Sequence, residues 1–256
     1  MTGDLDNPFA LYPMVEEDRA TGAVAGVYAE LLTGMPFVPS LFKSLALCPG
    51  YLVLAHEQAE SVLGTDAFAR AARELGSSVR DASRPPKEDD VREALAGFVE
   101  PLGRMLLLSA GLLLGLRGEL DAPPAPGRAP EPREVTPEGP VPSAWDAPAP
   151  RLYGEIRAAL ETPIVNSIWR QLADAGQLRA AWDVLGPQAA ATRAAADGLQ
   201  TRALVAAGRV GWGVVASPAA LERAGVADAA PGMAAVLDAY LKTLPRALTL
   251  VSSAAR

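Results

Sequence analysis

The chain has 256 residues and a net charge of −7, with half its residues hydrophobic but only 5% aromatic. That length can bury a sizeable core, as one large domain or two small ones, and the acidic balance argues against nucleic acid, which needs a basic face. The lone Cys48 excludes an intrachain disulfide and a thiolate metal cluster.

Abundant alanine with few aromatics favours close-packed helices over sheets. Met1 to Phe9 is acidic, with no basic stretch leading into an apolar run, so no signal peptide is expected. Ala20 to Leu32 reads as a helix stopped by Gly34 and Pro36. A short helix follows, with Val38, Leu41, Phe42 and Leu45 on one stripe. Pro49 suits the first turn of the next helix, where its missing N–H is no loss, and Asp66 is expected to cap the one after. Pro85-Pro86 marks a break, and behind it Lys87 opens a long helix with Val91, Leu95, Phe98, Val99 and Leu102 on one face. The apolar run Met105 to Leu116 is only a dozen residues, short of the roughly 20 needed to span a bilayer. It is expected to be a buried core helix of a soluble, cytoplasmic protein with no membrane partner.

Residues 121–150 hold ten prolines and no apolar periodicity, which predicts a semi-extended linker. In the second half, Ser217-Pro218 is a helix start and Gly225 a stop. Met233, Val236, Leu237, Tyr240, Leu241 and Leu244 keep the helical period as far as Pro245. No run of alternating β-branched residues occurs, so the expected fold class is all-α.

The two halves echo each other. Val27-Tyr28-Ala29-Glu30 and the run Pro36 to Ala46 match Leu152-Tyr153-Gly154-Glu155 and the run Pro163 to Ala173. Leu95, Phe98, Leu102, Arg104 and Leu106 match Leu237, Tyr240, Leu244, Arg246 and Leu248. This reads as an internally duplicated domain: a first repeat over 1–120, a Pro-rich linker over 121–147, and a second repeat over 148–256. The two are expected to form one globular unit with a ligand cleft between them. Helix-weakening residues at Pro101 and Gly103, aligned with Pro245, suggest a kink at the same place in each copy.

Pro36-Phe37-Val38, Leu45-Ala46 with Pro49-Gly50-Tyr51-Leu52, and Asn166-Ser167-Ile168-Trp169 with Leu172-Ala173 together resemble the DehI-type 2-haloacid dehalogenases. More distantly the cadence is similar to the AhpD and carboxymuconolactone decarboxylase group. The resemblance implies a cofactor-independent helical pseudo-dimer with one active site, where an aspartate activates water to displace halide from a short 2-halocarboxylate. That aspartate belongs to a Ser-Asp-aromatic step, and here the step is Ser167-Ile168-Trp169. Ile168 cannot accept a proton, although neutral water needs a base to attack at pH 7. The family also places an asparagine in the long helix of the first copy, where Phe98 to Leu102 offers only Glu100.

No catalytic residue is therefore assigned, with Glu100 the one weak candidate. The ligand-binding candidates are Phe37, Ser40, Asn166, Ser167 and Trp169, against the plainer alternative that Asn166 or Ser167 only caps a helix. Lys43 and Arg170, equivalent in the two copies, could attract an anion. Pairing with the equally repeated Glu30 and Glu155 is favoured over that. His56, the only histidine, aligns with Trp182 and reads as a packing substitution, since its neighbour Glu57 cannot face it on a helix. No metal or cofactor is expected, and a redox role would need a second cysteine. Two functions stand: a non-dehalogenating binder of a small organic acid or small apolar ligand, and a hydrolase of short 2-substituted acids using another base. The oligomeric state is open, a homodimer included.

Overall fold

The structure, a computed structural model, describes residues 14–77, 89–120 and 150–254, and among them every regular element is helical. The first half holds α1 (Gly22–Gly34), α2 (Ser40–Leu45), α3 (Pro49–Leu63), α4 (Asp66–Ser77) and α5 (Asp89–Leu116). The second holds α6 (Pro150–Leu160), α7 (Ser167–Asp174), α8 (Leu178–Leu185), α9 (Arg193–Ala207), α10 (Pro218–Arg223) and α11 (Ala230–Ala254). The all-α expectation is met. The proline-rich stretch 121–147, the Pro85-Pro86 break and Lys87 lie outside the described residues, as does Met1 to Phe9.

The two longest helices, α5 and α11, pack against each other at the centre, with α4 and α9 against them. Leu106, Leu107 and Leu108 are consecutive and all fully buried, so this part of α5 is covered on every side rather than along one stripe. By length and composition Val91–Leu116 could cross a bilayer, yet 67% of its most apolar window is buried inside the protein. Facing it, α11 buries Leu237, Leu241, Leu244 and Leu248 at the 3–4 residue spacing expected of one helix face.

Pro101 and Pro245 both sit inside continuous helices. Each removes one N–H from the ladder without ending the helix. Gly103 has a packing reason of its own: a Cβ there would lie 2.6 Å from the Ala72 carbonyl oxygen, so glycine lets α5 approach the α4 backbone.

The helix starts follow their caps. Ser217 Oγ accepts the Ala220 N–H at 3.3 Å with Pro218 next in the chain, and Gly225 beyond the helix has φ +67°. Pro49 occupies the first turn of α3. At α4 the expected cap is corrected: Thr65 Oγ1, not Asp66, accepts the Phe68 N–H, and Asp66 is already the first helical residue.

One buried amide ties the halves together. Gln58 on α3 donates from Nε2 to the Gly111 carbonyl of α5 at 3.0 Å and accepts the Ala216 N–H at 2.8 Å. It thereby satisfies the buried Ala216 N–H, which lies outside any helix, and adds a second bond to a carbonyl of the α5 ladder.

Candidate functional site

The segment just before α1 crosses the start of α2. It is pinned by Val15 N–H to the Lys43 carbonyl at 3.0 Å and by the Tyr28 hydroxyl, which donates to the Val15 carbonyl at 2.8 Å. The Val38 N–H adds a bond to Glu17 Oε1. These anchors place Glu16 between the two halves. Its Oε2 receives Lys43 Nζ from α2 at 2.8 Å, and its Oε1 receives the Arg170 guanidinium from α7 at 2.6 Å. Lys43 also reaches Glu17 at 3.1 Å.

The three central side chains are only 12–16% exposed, so these charge-assisted bonds are poorly screened. Burial by itself would raise the Glu16 carboxyl, but Arg170 and Lys43 outweigh it and hold the group below its ordinary value. Glu16 is thus a fixed carboxylate clamped between two cations.

Around this cluster lies a cleft of about 220 Å³ lined by Glu16, Glu17, Phe37, Val38, Lys43, Ser167, Arg170, Gln171 and Asp174. Below it is a set of buried hydroxyls. Tyr240 of α11 shares a 3.0 Å hydrogen bond with Ser44 of α2, and burial pushes its phenol up to about 12.

Ser40 and Ser167 are each the first residue of a helix, α2 and α7. They meet: the Ser40 N–H donates to Ser167 Oγ at 2.9 Å. The residue before Ser40 is Pro39, which makes no side-chain cap, so a buried first-turn donor of α2 with no intrahelical partner is satisfied by a serine from the other half.

Of the expected ligand residues, the structure sets Phe37 and Ser167 in the cleft wall and Ser40 against Ser167. Asn166 and Trp169 stand beside Ser167 in the chain but outside the lining, 2% and 0% exposed. Asn166 occupies the N-cap position of α7 without a side-chain cap bond. Both of its amide atoms, and Trp169 Nε1, lack a hydrogen-bond partner among the described residues. Capping therefore does not explain Asn166. Trp169 packs edge-on to Trp182, with ring centroids 5.7 Å apart. Ile168 is 4% exposed and belongs to the apolar core. Glu100 lies away from the cleft lining, 56% exposed and paired with Arg104 one turn along α5.

Two expected pairings are corrected. Lys43 and Arg170 pair with Glu16, while Glu155 pairs with Arg179 at 3.9 Å and Glu30 with His56 at 3.4 Å. The pinned 14–19 segment brings a carboxylate closer to both cations than either repeated glutamate. His56 is buried, as a packing residue is, and its ring nitrogens face Glu30 on α1 and Glu60 one turn along α3. Glu16, Glu17 and Gln171 are cleft residues that sequence reasoning passed over. The only hint was an acidic run, Glu16-Glu17-Asp18, shortly ahead of α1.

No family model matches the chain, and no curated protein matches it. Solved structures do. One of a D-2-haloacid dehalogenase with L-LA superposes with a TM-score of 0.74 at 18% identity, covering 94% of both chains. A mutant of a D-2-haloacid dehalogenase with D-2-CPA gives 0.71 at 18% identity, over 94% of this chain and 93% of the other. The protein therefore has the fold of the D-2-haloacid dehalogenases over nearly its whole described length.

Proposed function

We propose that the protein is a dehalogenase-fold binder of a small carboxylate that does not dehalogenate it. The carrying observation is Ile168, a buried apolar side chain at the step where the resemblance calls for the aspartate base. Fold alone does not convey chemistry, and Ile168 can neither orient water nor take its proton. In support of a carboxylate ligand, Lys43 and Arg170 already hold one, that of Glu16. A ligand carboxylate takes this place by displacing Glu16, which competes as a tethered group at high effective concentration. Asn166 and Trp169, buried with unpaired polar atoms, are the further groups a ligand would satisfy. In this reading the halves are two copies of one unit, with the cleft at their junction.

The test is chloride release from both enantiomers of 2-chloropropionate by the wild type and by Ile168→Asp. No release by the wild type supports the proposal, and release at a steady catalytic rate overturns it.

The alternative, a hydrolase of short 2-substituted acids working through another base, draws on Glu17 and Asp174, which share the cleft with Glu16. Glu16 itself is a poor base, since both of its oxygens are engaged by cations. If the wild type does release halide, its loss in Asp174→Asn or Glu17→Gln identifies that base.

A further inference from the structure

We propose that Glu30, His56 and Glu60 form a binding site for a divalent transition ion of the zinc type, bridging α1 and α3. His56 and Glu60 are four residues apart on α3 and so share one face, and Glu30 arrives from α1. One ligand atom from each lies within 4.8 Å of the other two. Glu30 stands 3.4 Å from His56 Nδ1 and Glu60 3.8 Å from Nε2, so the two carboxylates flank different ring nitrogens and an ion takes one nitrogen only. A charge-assisted hydrogen bond prefers about 2.7–2.9 Å. Two donors bonded to one ion at about 2.1 Å in tetrahedral geometry stand about 3.4 Å apart. The Glu30–Nδ1 spacing matches the second arrangement, and the exposed Glu60 side chain, with a ligand atom within 4.8 Å of the other two, reaches the same ion by a change of rotamer.

The chemistry of the set selects the ion. Neutral imidazole with two carboxylates carries a charge of −2, which a divalent cation neutralises, and the nitrogen donor favours zinc-type ions over magnesium or calcium. His56 is 3% exposed while Glu60 is 58% exposed, so the ring is held by the core and the open side faces solvent. Water would complete the coordination there. The site shares no residue with the cleft lining, and an ion in it would cross-link two helices of the first half.

The experiment uses the full chain without a histidine tag. His56 is its only histidine, so any imidazole coordination reports this site. Zinc is titrated with melting temperature as readout, and cobalt(II) is added separately to read visible d–d bands. Zinc is expected to raise the melting temperature at micromolar concentration while magnesium and calcium do not, and cobalt is expected to give a saturable visible spectrum. Losing even an outer partner of a ligand costs about 10–100-fold in metal affinity, so Glu60→Gln should weaken zinc by at least that much. Because Glu60 is exposed, its ion-free fold should be unchanged by circular dichroism. Glu30→Gln should act in the same way. No zinc response in the wild type, or equal responses in the wild type and both variants, overturns the site.

Discussion

Replacing Glu16 with alanine tests the geometry of the cleft from within. The change deletes a carboxylate whose two oxygens bond Arg170 at 2.6 Å and Lys43 at 2.8 Å, all three side chains being 12–16% exposed. A hydrogen bond to a charged group is worth about 1.5–3 kcal/mol, and removing one partner of a well-buried pair about 3–5 kcal/mol. Here the cations border a cleft, and Lys43 keeps Glu17 at 3.1 Å, so the loss falls nearer about 2–4 kcal/mol. At about 2–4 °C per kcal/mol for a protein of this size, melting should fall by about 4–16 °C. The deletion also leaves a carboxylate-sized space beside two cations. Propionate should therefore restore stability, by about 2.7 kcal/mol at a hundred times its dissociation constant. Equal sodium chloride should not, because screening alone rebuilds no bidentate contact. The assay is differential scanning fluorimetry of both proteins in matched propionate and chloride series. An unchanged melting temperature in Glu16→Ala, or equal rescue by chloride and propionate, would refute the placement of Glu16 as an internal carboxylate between the two cations.

Other consequences are also measurable. Because the Glu16 carboxyl is held below its ordinary value of 4.5, its stabilisation is fully present above pH 4.5 and lost as pH falls through the lower folded-state value. The gap in unfolding free energy between wild type and Glu16→Gln should then be flat from pH 5 to 7 and close in acid, as followed by urea titration. Gln58→Leu would strand the Ala216 N–H, while the Gly111 carbonyl keeps its helical partner in α5. It should lower stability by about 1–3 kcal/mol in the same titration, the cost of one buried unpaired group. Tyr240, raised to about 12 by burial, should stay protonated at pH 11 in the folded protein, where ultraviolet titration would detect a phenolate.

Much of the helical frame was legible from local chemistry. Val24, Val27, Tyr28 and Leu31 of α1 are buried at helical spacing, Pro49 sits in a first turn, and Ser217 caps as its type prefers. Thr65 and Asp66 are both good caps, and only tertiary packing chose between them. The serine meeting was partly legible too, because the similar runs Pro36 to Ala46 and Pro163 to Ala173 pointed to a serine at each of two helix starts. Glu16 was not. It lies ahead of α1, and its position depends on the Val15–Lys43 and Tyr28–Val15 hydrogen bonds, which no periodicity encodes. The carboxylates beside His56 were not legible either, because they lie one turn along the helix and on a different helix.

The central claim, binding without conversion, can be tested in one carbon NMR experiment. Carbon-13-labelled 2-chloropropionate is held with stoichiometric protein while the spectrum is followed. The account predicts a broadened or shifted carboxylate resonance that reverses on adding excess propionate, and no lactate signal after long incubation. A growing lactate signal would contradict the loss of catalysis. A carboxylate resonance indifferent to the protein would contradict the binding.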